Sequence, residues 1–414
     1  MLFIVFIRSI WNRLPIEARR YGLASIGSLC APSAPQHYVI GSTLLVAGEL
    51  SRANGLGEGA RLMLQALKNL NIPSDYLEIS PYFFSYKHYQ RNAKILSDNP
   101  YAPIIFHINS PQIPFALLSL PQKHLKNRLL IGYWAWELPI LPKIWKFGFH
   151  HIHEIWTPSY FSANAMESLA ANYKKTVRIV PHPVAEKYVS LSHKKKIKEL
   201  EGLEKKIIIL SSINLSSSFA RKNPIGVIKA FKYAKLDSEK VFLILKLTEV
   251  GAYQDNFETI KKEIHPNTNI IIITRTLSND EYQSLLDRAD IVLSLHRSEG
   301  FGLIVAEGML YGKPVISTNW SATSEFLDAH CGIPIHYQLI PVLDERKVYQ
   351  VKNAYWADPD LKEAANKLNK LVEDSSYRHS LGMSAYQKAQ KQFTSRKLIF
   401  ALKNISFKFT SKQL

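Results

Sequence analysis

Cysteine is nearly absent: the 414 residues contain two, Cys30 and Cys331. Two cysteines build no disulfide framework, and neither sits in a zinc-type spacing. A reducing compartment is the expectation. Long hydrophobic runs are missing as well. No stretch approaches the ~20 apolar residues of a spanning helix. The apolar run Met1–Ile7 is short, and Arg8, Arg13, Arg19 and Arg20 follow it. A signal peptide needs its positive charge before the apolar run, so that reading fails. An interfacial anchor and a short extension packed on the body both stay open. Acidic residues are scarce relative to basic ones, 34 against 52, which gives a net charge of +18. Half of that excess falls in residues 1–180 and half in the rest, so no single basic tail produces it. Such a balance favours anionic partners: a nucleotide-sugar, a lipid diphosphate or an anionic membrane surface. No nucleic-acid-binding motif accompanies the charge, and nucleic acid is not expected as a partner. The expected location is cytoplasmic, with peripheral attachment at the inner face of the membrane.

A hydrophobic content of 46% leaves ample material for a core, and 414 residues exceed one ordinary core. Two α/β domains are expected, each a doubly wound sheet. A boundary between them lies in the charged run His193–Lys206. Residues 1–36 read as an extension, 37–190 as a first domain, 200–393 as a second and 394–414 as a tail.

The richest stretch runs from Ser294 to Ser317. Asp290–Leu295 reads as a buried strand, Glu299-Gly-Phe-Gly302 as a turn and Leu303–Tyr311 as a helix ended by Gly312-Lys-Pro314. Two carboxylates, Glu299 and Glu307, stand eight positions apart across that turn. A helix N-terminus there offers unpaired N–H groups to a phosphate. This stretch resembles the signature of the family 4 retaining glycosyltransferases, which use the two-domain GT-B fold. The resemblance rests on Glu299-Gly-Phe-Gly-Leu-Ile-Val-Ala-Glu307 and Gly312-Lys-Pro-Val315. It implies two doubly wound Rossmann-like domains facing across a cleft, with the tail 394–414 returning to the first domain.

The resemblance also distributes roles. Glu299 would bind sugar hydroxyls and Glu307 the ribose, with Gly300, Phe301, Gly302 and Leu303 beside the donor. Arg221 and Lys222 would clamp the donor diphosphate, and Arg275 and Thr276 would border the base. In the first domain, Tyr38–Ala47 reads as a strand and Gly48–Arg61 as a Gly-rich loop running into a helix, Ala60–Leu70. There Gly55 and Gly57 would let backbone approach the diphosphate, and Glu58 would face the acceptor. His107 and Asn109 close another strand. Trp134-Ala-Trp136-Glu137 stands where many relatives place a histidine, a pattern associated with a bacterial surface-polysaccharide subgroup. Trp134, Trp136 and Glu137, with His107 and Asn109, are then expected on the acceptor side, rings stacking on sugar and Glu137 accepting from hydroxyls. Core packing of both tryptophans is the alternative. His150, His151 and His153 lack the spacing of a helical zinc pair, and no metal is expected.

The implied reaction is metal-independent transfer of a hexosyl unit, with GDP-mannose as leading donor, to a growing, lipid-linked glycan. The alternatives are an epimerase or phosphorylase on the same fold, or a non-catalytic carbohydrate-binding protein.

Overall fold

The computed structural model describes residues 14–52, 54–80, 85–187, 195–266 and 269–409. The apolar run Met1–Ile7 lies outside them.

Apolar runs without alternation form most strands of two parallel six-stranded sheets, as strands covered on both faces require. The first contains β1 (Leu44–Gly48), β2 (Ser74–Glu78), β3 (Ile104–His107), β4 (Leu130–Tyr133), β5 (Glu154–Thr157) and β6 (Thr176–Ile179), in the order 2-1-3-4-5-6. The second contains β7 (Ile207–Asn214), β8 (Val241–Thr248), β9 (Ile270–Ile273), β10 (Ile291–Ser294), β11 (Val315–Thr318) and β12 (Ile333–Ile335), in the order 12-11-10-7-8-9. The two-domain GT-B-like architecture expected from the sequence is therefore present.

Each order reverses once, between β1 and β3 in the first sheet and between β10 and β7 in the second. Ligands of doubly wound sheets bind at the carboxyl ends beside such a reversal. The segments leaving β1 and β3 carry Gly55–Glu58 and Asn109. Those leaving β7 and β10 carry Arg221, Lys222 and Glu299. Topology alone thus brings most of the expected site residues to two switch points.

Local chemistry explains several boundaries. Ser159, Ser278 and Asp360 cap the helices that follow them, and Ser278 with Glu281 closes a full capping box. Pro224 occupies the first turn of helix Pro224–Ala234. β7 runs to Asn214, four residues beyond its most apolar part, because it pairs with β8 along eight positions. Helix Gly55–Asn69 starts five residues earlier than expected, because the Asn54 side chain accepts from the Gly57 N–H at 2.7 Å.

Two pieces tie the domains together. Helix Arg396–Asn404 packs Leu398, Ala401 and Leu402 into one face of the first sheet, beside Leu44, Val46 and Ala60. An antiparallel ribbon, β13 (Tyr337–Pro341) and β14 (Tyr355–Pro359), leaves the second sheet and sets Tyr349 and Trp356 among Trp134, Trp136 and Trp145 of the first domain. Helix Ile16–Cys30 lies on the first domain too: Gly27 meets the Phe115 ring, Tyr21 meets Phe147, and Ser28 bonds His151 at 2.9 Å.

Candidate functional site

A short helix, Phe219–Lys222, follows β7. It is bracketed by two non-glycine residues of positive φ, Ser218 at 79° and Asn223 at 52°. Both are held by side-chain bonds. Ser218 Oγ donates to Asp344 at 3.0 Å, and Asn223 Nδ2 donates to the Leu295 carbonyl at 2.8 Å. That geometry aims two adjacent basic side chains differently. Lys222 reaches the Glu299 carboxylate at 2.5 Å and keeps about a fifth of its side chain exposed. Arg221 is 2% exposed. It donates to the Ser298 carbonyl at 2.7 Å, to Glu299 at 3.2 Å and to the Ser217 carbonyl at 2.8 Å, and approaches Glu137 at 3.6 Å. A pair of cations at the mouth of the helix was expected. The structure corrects this for Arg221, which is a buried strut with Lys222 alone towards the cleft. Burial forces this, since a sunken guanidinium needs carboxylates and carbonyls around its donors.

Two carboxylates and two cations therefore share one site, from both domains. Burial alone would raise the Glu299 carboxyl, but Lys222 and Arg221 outweigh it and hold it at about 2. Burial pushes Glu137 up, with Glu299 adding to the rise while Arg221 and Lys222 oppose it. Burial likewise works against the charge of Arg221, which the Glu137 and Glu299 carboxylates more than restore.

The turn after β10 is shaped by packing. Gly302 has φ +96°, and a Cβ there would lie 2.4 Å from the Thr323 methyl. Glu299 N–H donates to Ser321 Oγ at 2.8 Å. No side chain caps helix Leu303–Leu310. Leu303 is partly exposed at its start. Glu307, 4% exposed, accepts from the Tyr282 hydroxyl at 3.0 Å. Arg275 and Thr276 are exposed after β9, with Arg275 paired to Glu199 and Glu281.

The first domain meets this turn closely. Ser159 Oγ donates to the Gly300 carbonyl at 2.7 Å, and Ser298 Oγ donates to the Glu137 carbonyl. A Cβ on Gly300 would touch Ala135 and Glu137. Glu325 accepts from the backbone N–H groups of Tyr160 and Phe161 at 2.9 and 2.6 Å, at the open end of helix Tyr160–Asn172. Phe301 lies edge-on to His182 at 5.0 Å.

Other expectations shift. Gly55 and Gly57 belong to a helix rather than a loop. A Cβ on Gly57 would strike the Glu49 carbonyl at 2.5 Å, and one on Gly59 would strike His182 at 2.3 Å. These two glycines serve packing, while Gly55 has open space. Trp134 and Trp136 are 0% and 3% exposed and pack in the core, so neither offers a ring face to a sugar. Their apolar rings win more from Trp145, Phe149 and Tyr349 than from water. His107 is core as well, stacked on Tyr133 at 4.2 Å and held neutral by burial. Asn109 accepts from the Ala135 N–H at 3.0 Å and so fixes the Trp134–Glu137 segment. Glu58 pairs with Arg61 and lends its charge to the surroundings of His182 and Tyr282. His151 and His153 bond the backbone of Pro32 and Pro35, and pin the N-terminal segment.

Sequence reasoning missed four residues here. His182 fills the wall between Gly59, Tyr133 and Phe301. His296 bonds Ser294 and Thr323 beside Glu299. Burial lowers both imidazoles to about 4. The doublet Pro181-His-Pro183 and the position of His296 two residues past β10 were signals for these two. Tyr282 bonds Glu307 from a helix whose cap alone was read. Tyr349, on the ribbon, carried no signal.

Residues 193–388 match the family described as glycosyl transferases group 1. The match lies over the second domain. A putative glycosyltransferase 48 of a Sulfolobus islandicus filamentous virus is 31% identical over 117 residues, 28% of this chain. The match spans 36% of that viral relative's length. HepE of Anabaena, crystallised with UDP and glucose, superposes with a TM-score of 0.61 at 13% identity, covering 88% of this chain and 100% of its own. A UDP-forming trehalose-phosphate synthase of Burkholderia xenovorans gives 0.60 at 14%, over 89% and 100%. At such identities the structural likeness concerns the fold.

Proposed function

We propose that the chain is a retaining glycosyltransferase, moving a hexosyl unit from a nucleoside-diphosphate sugar to a glycan acceptor. The observation that carries this is the Lys222–Glu299–Arg221 cluster, built at the switch point of the domain that matches the group 1 glycosyl transferases. Negative charge grows on the diphosphate as the sugar leaves. A partly exposed lysine and an uncapped helix N-terminus beside it supply preorganised positive charge for that stage. Glu299 would grip sugar hydroxyls, and Glu307 with Tyr282 the ribose. Arg275 and Thr276 would border the base. Arg221 holds Glu299 in place from behind. The transfer needs no metal, so a chelator leaves it unchanged.

The resemblance of Trp134–Glu137 favours GDP-mannose as donor. UDP-glucose is the second donor to test, because HepE has been crystallised with it. A lipid-linked acceptor of a surface polysaccharide, met at an anionic membrane surface, fits the basic balance. Helix Ile16–Cys30 supports it by exposing Leu23, Ile26 and Leu29. Among the described residues no helix is long and apolar enough to cross a membrane. Co-sedimentation with phosphatidylglycerol vesicles, weakened by Leu29→Asp, tests that attachment.

The activity test incubates purified protein with GDP-mannose and with UDP-glucose, and follows nucleotide release and new glycosidic product. Native protein is expected to consume one donor, and Lys222→Ala and Glu299→Gln to lose that activity. Undiminished activity in both variants overturns the assigned roles. Tight glycan binding without turnover of any donor would favour the non-catalytic alternative.

A further inference from the structure

The ribbon β13–β14 interrupts the regular alternation of the second domain, and its sequence predicted nothing about the site. Its contacts converge on two segments that carry the charged cluster. Asp344, 6% exposed, accepts from Ser218 Oγ and from the backbone N–H groups of Val348 and Tyr349 at 2.8 and 3.0 Å. Arg346 donates to the Ser216 carbonyl at 2.6 Å. These bonds grip the turn that presents Arg221 and Lys222. On the other side, Ala357 N–H donates to the Arg297 carbonyl at 2.9 Å, and Asp358 pairs with Arg297. That grip holds the turn presenting Glu299.

Tyr349 sits where the grips meet. Its ring stacks on Trp136 of the first domain with centroids 5.2 Å apart, and the Arg221 guanidinium lies 5.2 Å from its face. Its hydroxyl lies close enough to the Glu137 carboxylate to favour that group's charged form. One side chain of the second domain thus touches the first domain's aromatic core, its cleft carboxylate and the buried cation. A tyrosine serves all three contacts where phenylalanine serves two. The charged or titratable groups around Glu137 are Arg221, Glu299, Lys222 and Tyr349.

We propose that Tyr349 is a positioning residue of the donor site, carried by the ribbon, that sets the Glu137 carboxylate against Arg221 across the seam between the domains. This rests on the glycosyltransferase reading above. It adds a residue about fifty positions from the signature and makes the ribbon part of the site. Through Arg221, the position of Glu137 reaches Glu299 and Lys222, so the hydroxyl acts on the donor without touching it.

Three proteins separate this from a purely structural role: Tyr349→Phe, Tyr349→Ala and Lys222→Ala, each compared with native protein. Turnover of GDP-mannose or UDP-glucose, its pH profile, the thermal midpoint and UDP and GDP binding are measured. Tyr349→Phe keeps the stack, so its midpoint should fall less than that of Tyr349→Ala. Its turnover should fall about tenfold, as expected for loss of a hydrogen bond to a charged group. Without that donor the ionised Glu137 is less favoured, so the acid limb of the profile should move to higher pH. Tyr349→Ala should lower the midpoint further. A Tyr349→Phe protein with native turnover and a native acid limb overturns the inference, while loss of activity in Lys222→Ala upholds the donor site. Native protein that binds neither nucleotide overturns both.

Discussion

The two sides of the cleft are held by different means. On the second domain, polar side chains and local backbone geometry do the holding: positive φ at Ser218, Asn223 and Gly302, and bonds from Asp344, Leu295 and Ser321. On the first domain, aromatic packing does it. Glu137 ends a segment anchored by Trp134, Trp136 and Trp145, with Asn109 and Ser162 as polar tethers. A polar scaffold of that kind writes itself into a short signature. A packed scaffold draws on residues scattered along the chain, including Tyr349 and Trp356 of the other domain.

That contrast can be broken from either side. The largest effect is expected from Arg221→Met, which leaves Glu137 buried without its cation and Glu299 with Lys222 alone. Urea unfolding should show a loss of about 3–5 kcal/mol. Lys222→Ala removes a partly exposed charge, and should lower kcat by a factor corresponding to about 2.7–4 kcal/mol, with a smaller loss of stability than Arg221→Met because Arg221 still pairs Glu299. Together these two variants separate the strut from the residue that works on the donor.

Acid tests both sides at once, because each has a buried imidazole in contact with the residues of the site. His182 and His296 titrate at about 4, against an ordinary 6.5. A histidine with a lowered folded value adds stability that is complete above about 6.5 and fades as the pH falls through about 4. Each should account for about 3 kcal/mol across that window. Unfolding curves between those limits should therefore flatten in His182→Gln. The same slope in native and His182→Gln protein would contradict its neutral, buried state.

Smaller effects sharpen the picture. Gly302→Ala forces a side chain into positive φ and against Thr323, and should cost about 1–3 kcal/mol in chemical denaturation. Ser159→Ala loses a helix cap and the bond to Gly300, and should cost about 0.5–2 kcal/mol by the same measurement.

The same contrast governs what the sequence reveals. Apolar runs predict most strands of both sheets, because a buried parallel strand is hydrophobic throughout, but not the edge strands β2 and β12, which are polar or short. Glu299, Glu307 and Lys222 are legible because one turn and one helix start position them. Arg221 is legible as a site residue but not as a buried one, since its depth depends on Glu137, which comes from the other domain. The tryptophans mislead for a related reason. A ring beside a carboxylate reads equally as a sugar platform or as core, and only the position of Tyr349 and Trp145 decides. Gly57 and Gly59 read as loop residues because the Glu49 carbonyl and the His182 ring that exclude a side chain there show only in the packed structure. The ribbon is illegible throughout: its strands are short, its alternation is weak and its partners are distant.

The central claim is that Lys222, steadied by Glu299 and Arg221, receives the diphosphate of a sugar nucleotide. Calorimetric titration of UDP, UMP, GDP and GMP into native and Lys222→Ala protein tests it most directly. The account predicts that native protein prefers one diphosphate over its monophosphate by at least about tenfold, and that Lys222→Ala loses this preference. Equal affinities for diphosphate and monophosphate in native protein, or an unchanged preference in the variant, would contradict it.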